Sequence, residues 1–227
     1  MWLADAIASG KLAPGDRLPP ERELAGRVRV SRMTLRQALD SLERRGLVAR
    51  QVGREGGTFV AEPKLELTGL SALSDQLRGL GLAAGARVLS AQERPATAAE
   101  AAALGRDGPV YEIARVRLAD GAPLALERNV FAVDAFPGLL ELPLEGSLYG
   151  LMRERYAEVP VRAVERLEPV LAGAGEARAL GVAVRAPLML VERTAYGGSG
   201  RALELSRDLF RGDRIRVVWE SEIVGGP

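Results

Sequence analysis

The sequence predicts an α+β fold in two parts. Residues 1–62 read as three short helices closed by a glycine-rich hairpin. Residues 71–227 read as a mainly antiparallel sheet with flanking helices, expected to one side, and 63–70 read as the linker. Three observations carry this. Apolar residues recur at helical spacing in VSRMTLRQALDSLERR, residues 30–45. From residue 87 onward, alternating stretches are joined by short glycine turns. The length, 227 residues with 47% hydrophobic and 27% charged content, suffices for one large or two small domains.

In chain order, residues 2–9 read as a short helix before Gly10, and Pro14-Gly15-Asp16 as a turn. A second helix, ERELAGRV, follows with Pro20 expected at its first position and Glu21 and Glu23 beside its positive dipole end. Ser31 is a good N-cap for the third helix. Leu35, Leu39 and Leu42 form its apolar stripe with Ala38 beside it, and Gly46 marks its end. Two short helices and a turn delivering a third have the spacing of a helix-turn-helix. LVARQ and TFVAE then alternate around Val52-Gly53-Arg54-Glu55-Gly56-Gly57, a hairpin with an arginine at its tip that reads as a wing. A nucleotide-binding loop is the alternative, but the GxxxxGK[ST] pattern is absent.

Beyond the linker, a helix is expected over 71–80 and strands over 87–93, 110–118, 124–131, 161–171, 188–196, 202–210 and 215–224. Further helices fall near 98–104, 147–156 and 175–180. A weak repeat runs through this part. EAAALGRDGPVYEIARVRLADGAPLALERNVF aligns with GEARALGVAVRAPLMLVERTAYGGSGRALELSRDLF, matching Arg115 with Arg193 and Phe131 with Phe210. It implies two similar hairpins in one sheet.

Composition narrows the chemistry. Without cysteine there are no disulfides, thiol nucleophiles or thiolate metal sites, which fits a cytoplasmic protein. Without histidine there is no imidazole zinc ligand and no histidine-based triad. No apolar run approaches the ~20 residues that span a bilayer, and the opening MWLADAIASGK has no basic region typical of a signal peptide. The net charge of +1 hides an asymmetry: residues 1–63 hold 11 Lys/Arg against 8 Asp/Glu, a local excess of +3.

At the start of the third helix, Arg32, Thr34 and Arg36 crowd the first turn and a half. Such a helix suits a DNA major groove, where free N–H groups favour phosphate and arginine grips guanine with two hydrogen bonds. An ordinary surface helix fits the same residues. In the first hairpin of the sheet, Arg115 and Arg117 share one face, and Glu127 and Asn129 should lie beside them. Two guanidiniums beside a carboxylate fit a small anion, or else a solvated face of weak ion pairs.

The segments GKLAPGDRLP, ERELA, VSRMTLRQAL, LERRGLV and GGTFVA, in this order, resemble the winged helix-turn-helix domain of the GntR family of bacterial transcription regulators. RVRLADGAPLALE, the SLY ending at Tyr149 and LELSRDLFRGDR resemble the ligand-binding UTRA domain of the HutC-type branch, of chorismate-lyase-like fold. The resemblance implies DNA contacts by Arg22, Arg32, Thr34, Arg36, Arg54 and Gly57. It implies effector contacts by Arg115 and Arg117 as an anion pair, with Glu127, Ser147, Tyr149, Glu204, Phe210 and Ser71; Phe210 stands where several relatives carry tyrosine. It further implies a homodimer on double-stranded DNA with a palindromic operator, most simply a repressor released by a small anionic effector such as a phosphosugar or carboxylate. No cofactor, metal or membrane partner is expected. The alternatives are an enzyme of lyase-like fold and a regulator that senses no small molecule.

Overall fold

Short-range signals set the helices. In this computed structural model, which describes residues 2–44, 47–51, 56–61, 64–67 and 73–218, the Ser31 hydroxyl accepts the Thr34 N–H at 3.0 Å. The helix it opens, α3, runs Arg32–Arg44, after α1 (Trp2–Ala8) and α2 (Glu21–Arg27). Pro20 is the N-cap of α2 rather than its first helical residue, one position from expectation. The stripe Leu35, Leu39 and Leu42 is buried against Leu3, Leu18, Leu24, Val48 and Val60. That cluster is the core of the unit spanning Met1–Lys64. The hairpin strands are β1 (Val48–Gln51) and β2 (Gly57–Val60), paired antiparallel. Residues 15–18 lie along the free edge of β2, with Leu18 N–H donating to Thr58 O and Val60 N–H to Asp16 O. The stop at Gly46 and the wing tip 52–55 lie outside the described residues.

The second unit, Leu65–Pro227, opens with β3 (Leu65–Leu67), which pairs in parallel with β10 (Ile215–Val217). Part of the segment read as a linker is therefore a strand, made by a partner about 150 residues away. The main elements are α4 (Leu73–Gly79), β4 (Ala84–Pro95), α5 (Ala98–Leu104), β5 (Pro109–Ala119), β6 (Ala122–Ala132), α6 (Leu148–Arg155), β7 (Arg162–Leu171), α7 (Ala174–Leu180), β8 (Pro187–Tyr196) and β9 (Ala202–Arg211). Six of the strands form one sheet in the order β4-β5-β6-β9-β8-β7, every neighbouring pair antiparallel.

This order makes the sequence repeat structural. Each copy is strand, helix, hairpin, and the two copies meet at β6 and β9. The ladder there pairs Glu127 with Asp208 and Asn129 with Ser206 about a centre at Arg128–Arg207. Exchanging repeat-equivalent residues, Asn129 for Asp208 and Glu127 for Ser206, returns the same ladder. Both repeat helices end on a left-handed glycine, Gly105 and Gly181, each at φ 66°, where a side chain would be strained.

Helices cover both faces of the sheet, not one. On one face, α7 packs Ala177 and Leu180 against Val116, Leu126 and Leu209. Beside it, α5 packs Leu104 against Val110, Val130 and Ala202. On the other face, α4 packs Leu73 and Leu77 against Ala125, Val191 and Phe210, and α6 packs Leu148 and Met152 against Tyr111, Ile113 and Phe131. Between α4 and α6 this second face carries polar side chains.

Candidate functional site

In the first unit the basic side chains of α2 and α3 point outward. Arg22, Arg32, Thr34 and Arg36 are all exposed, as is Met33 at 66%. They are not all unengaged. The Arg36 guanidinium lies 3.2 Å from Glu21, and the Thr34 hydroxyl is 2.8 Å from that of Ser31. The described residues of α3 place no acidic side chain in its first turn, so the positive dipole end meets solvent unopposed by its own helix. Gly57 opens β2, and a Cβ there would fall 2.9 Å from Arg17 Nε. The Arg17 guanidinium donates to Gly56 O and lies over the Phe59 ring. The group a Cβ at Gly57 would meet is thus the end of a flexible side chain, which can shift. Arg54 lies outside the described residues.

In the second unit, alternation brings Arg115, Arg117, Glu127 and Asn129 to the same face, as β5 and β6 pair Arg115 with Glu127. That face is not an open surface: all four side chains are buried. It is the floor of a cavity of about 930 Å³, mouth included, roofed in part by Leu73 of α4 and by Ser147, Leu148 and Tyr149 at the start of α6. Glu204, Asp208 and Phe210 reach it from β9, and Arg193 from β8. Of the expected effector residues, Arg115, Arg117, Glu127, Ser147, Tyr149, Glu204 and Phe210 all line this cavity, while Ser71 lies outside the described residues.

The two arginines are already partnered. Arg115 donates to Glu127 at 2.6 Å and to Leu144 O and Gly146 O at 2.7 and 3.0 Å, fixing the loop that enters α6. Arg117 donates to the other Glu127 oxygen at 2.9 Å and to Ser74 Oγ at 2.7 Å. Burial pushes the Glu127 carboxyl up, but Arg117 and Arg115 overcome it and hold the group below the ordinary carboxylate range. Each guanidinium has five N–H donors. Arg115 Nε is buried and has no partner among the described residues. Ser147 caps α6, its hydroxyl accepting the Gly150 N–H at 3.1 Å.

A second cluster completes the floor. Tyr149 donates to one Glu204 oxygen and Asn129 Nδ2 to the other at 2.7 Å. Burial and then Glu204 keep the Tyr149 hydroxyl protonated far above its usual range, so it stays a donor. Arg193 donates to Glu165 at 2.8 Å and lies 3.9 Å from Asp208. Burial opposes its charge, but Asp208 and Glu204 raise it further. Arg193 and Asp208 were not singled out from the sequence as site residues. The repeat held the signal, because Arg193 stands at the place of Arg115 and Asp208 at that of Asn129.

With this geometry in hand, known proteins give the chain relatives. The gntR family of bacterial regulatory proteins matches residues 2–60, and the UTRA domain matches residues 79–216. The HTH-type transcriptional repressor NagR of Bacillus subtilis is 39% identical over 221 residues, covering 95% of this chain and 90% of NagR. The crystal structure of PhnF from Mycobacterium smegmatis aligns with a TM-score of 0.70 at 33% identity, over 97% of this chain and 98% of that one. The separate effector domain of PhnF aligns over 72% of this chain and all of its own, with a TM-score of 0.65 and 30% identity. A probable fructoselysine utilization operon transcriptional repressor of Escherichia coli K12 is 28% identical over 97% of this chain and 91% of its own.

Proposed function

The chain belongs to the GntR family of bacterial regulatory proteins and carries a UTRA domain, and from that premise we propose a repressor released from its operator by a small anionic metabolite. It is a DNA-binding transcription regulator and not a lyase-like enzyme. The effector is a phosphosugar or a carboxylate, taken into the cavity of the second unit. Its anionic end meets Arg115, Arg117 and the start of α6 at Ser147, where free helix N–H groups add to the attraction. Its polar body meets Glu127, Tyr149 and Glu204 and lies against Phe210. The observation that carries this reading is the convergence of those side chains in one cavity. A relative named for fructoselysine utilization supports a sugar-derived class.

On the DNA side, Arg22, Arg32, Thr34 and Arg36 make the phosphate and base contacts, with Arg54 and Gly57 at the wing. A homodimer presents two such units to a palindromic site. An effector bound better by the arrangement that cannot grip DNA draws the population there. β3, the first strand beyond Lys64, pairs with β10, whose Val217 lines the cavity, which gives the bound ligand a covalently connected route to the DNA-binding unit.

The test is a salt-dependent titration against the DNA upstream of this protein's own gene, with and without phosphosugars. Tight, sequence-selective binding relieved by one ligand is the expected result. Weak binding that steepens at low salt and ignores sequence would be phosphate attraction alone. One observation favours a second reading, a regulator that senses no small molecule: Glu127 already pairs with both arginines, one through each carboxylate oxygen. Ligand at ~100 times its dissociation constant stabilises by roughly 2.7 kcal/mol. Melting temperatures unmoved by phosphosugars and carboxylates, in wild type and in Arg115→Ala alike, would establish that second reading.

A further inference from the structure

The outward side of α3 carries two side chains without a role in the fold. Leu35 points into the core of the first unit, and a residue two places from it along a helix lies about 200° round the axis. Met33 and Gln37 are those two residues, so they point away from the core, and both are exposed. Four positions apart, they are neighbours on the helix surface, with Cβ atoms about 5–6 Å from each other. Met33 is 66% exposed, more than any other large apolar side chain among the described residues. Gln37 makes no hydrogen bond to a described residue.

The side chains around them are engaged or charged. Arg36 lies 3.2 Å from Glu21, and the Thr34 hydroxyl is 2.8 Å from that of Ser31. One turn beyond Met33 and Gln37 on the same side stands Asp40, a carboxylate that DNA phosphate would repel. Arg50 of β1 holds it at 2.5 Å and lies 3.2 Å from Glu43 as well. The acidic half of α3 is thus tied to the hairpin, while the stretch from Arg32 to Gln37 contains no acidic residue. An uncovered thioether in that stretch gains by burial, and methionine, unbranched and polarisable, adapts to an irregular surface.

We propose that Met33 and Gln37 are the residues of α3 that read A·T base pairs, Met33 against a thymine methyl and Gln37 on an adenine. The inference rests on α3 being the helix that enters the major groove, and it adds two uncharged contacts to a set otherwise made of arginines and a threonine. In that groove thymine alone presents a methyl, and methionine lying over cytosine would instead bury an amino donor with no acceptor. The Gln37 amide donates to adenine N7 and accepts from the N6 amino group. Guanine offers two acceptors there, O6 and N7, which suit arginine and leave the glutamine oxygen unpaired. One helical turn rises about 5.4 Å and base pairs stack about 3.4 Å apart, so the two side chains reach the same or the next base pair.

The experiment is equilibrium binding of the full chain to duplexes made from the segment that it protects in the DNA upstream of its own gene. Single thymines are replaced by uracil, which removes the methyl and keeps the pairing. Single adenines are replaced by 7-deazaadenine, which removes the N7 acceptor. Wild type is compared with Met33→Ala and Gln37→Ala, and a thermal melt checks that each variant folds. The proposal expects uracil at one position to weaken wild type about threefold to fivefold, the worth of one buried methyl, and Met33→Ala to lose that discrimination. At the same or the next base pair, 7-deazaadenine should weaken wild type about fivefold to fiftyfold, with Gln37→Ala indifferent to it. Wild type indifferent to either analogue at every position, or a loss that persists undiminished in the matching variant, overturns the proposal. If Arg36→Ala still weakens binding in that case, α3 remains a reading helix without this pair. If no segment is protected, the DNA contacts assigned to α3 fall and this proposal with them.

Discussion

Removing Glu127 should unfold the second unit more readily than any other single side-chain deletion in the cavity. The Glu127 side chain is 9% exposed and sits between Arg115 at 2% and Arg117 at 5%, with contacts of 2.6 and 2.9 Å. Glu127→Ala leaves two buried guanidiniums without the carboxylate they pair with, and breaking a buried pair in this way costs about 3–5 kcal/mol. For a unit of this size, 2–4 °C per kcal/mol translates into a fall of roughly 6–20 °C. Differential scanning calorimetry of the full chain reads it as a shift of one transition, since the two units need not melt together. The sign with pH is fixed as well. Glu127 is held below its ordinary range, so its contribution is present above the unfolded glutamate value, about 4.3, and is lost as pH falls through the lower folded value. The gap between wild type and Glu127→Ala should close in acid. Two controls separate charge from packing. Inorganic phosphate should raise the melting temperature of Glu127→Ala more than that of wild type, by standing in for the carboxylate. The triple change Arg115→Met, Arg117→Met, Glu127→Leu should recover most of the loss, since apolar replacements of similar volume can match a buried ion cluster. A loss below about 1 kcal/mol, the range of an exposed ion pair, would refute the reasoning, because it would mean the cluster is solvated.

Three further outcomes are expected. Leu39 is 1% exposed at the centre of the first unit's core, so Leu39→Ala should destabilise that unit by about 2–5 kcal/mol in denaturant unfolding. Arg36→Ala should weaken operator binding by about 1–3 kcal/mol in a mobility-shift titration if the side chain reads a base; unchanged binding removes it from the recognition set, its pairing with Glu21 then being its whole role. Asp208 has a raised folded value, so its contribution to stability is fully present below the unfolded aspartate value and is lost as pH rises through the folded one. Asp208→Asn should flatten that alkaline loss in melting curves from pH 5 to 9, and an unchanged slope would show that the carboxyl titrates normally.

Much of the local structure was legible. Ser31 as a cap, the Leu35, Leu39 and Leu42 stripe, and the strand alternation of 110–118 are signals that act within a few residues. The structure repeats them nearly residue for residue. The helix at 98–104 matches α5 throughout. The shift of Pro20 to the N-cap is a matter of one residue, the usual scale of uncertainty at a helix end. β3 was illegible because nothing in Leu65–Leu67 names its partner, and pairing with β10 joins residues far apart in sequence.

The candidate site divides along the same line. Alternation by itself determined that Arg115, Arg117, Glu127 and Asn129 share a face, since successive side chains on a strand point to opposite sides. The repeat determined that a second hairpin carries Arg193 in the position of Arg115. Only the tertiary structure decided that the two hairpins meet at β6 and β9, bringing Asp208 opposite Glu127, and that α4 and α6 cover this face and leave a cavity over it. A strand's period encodes which side a residue takes. What lies on that side, water, a helix or a ligand, depends on contacts between distant segments, and those decide whether a row of arginines and carboxylates is a solvated surface or a buried site.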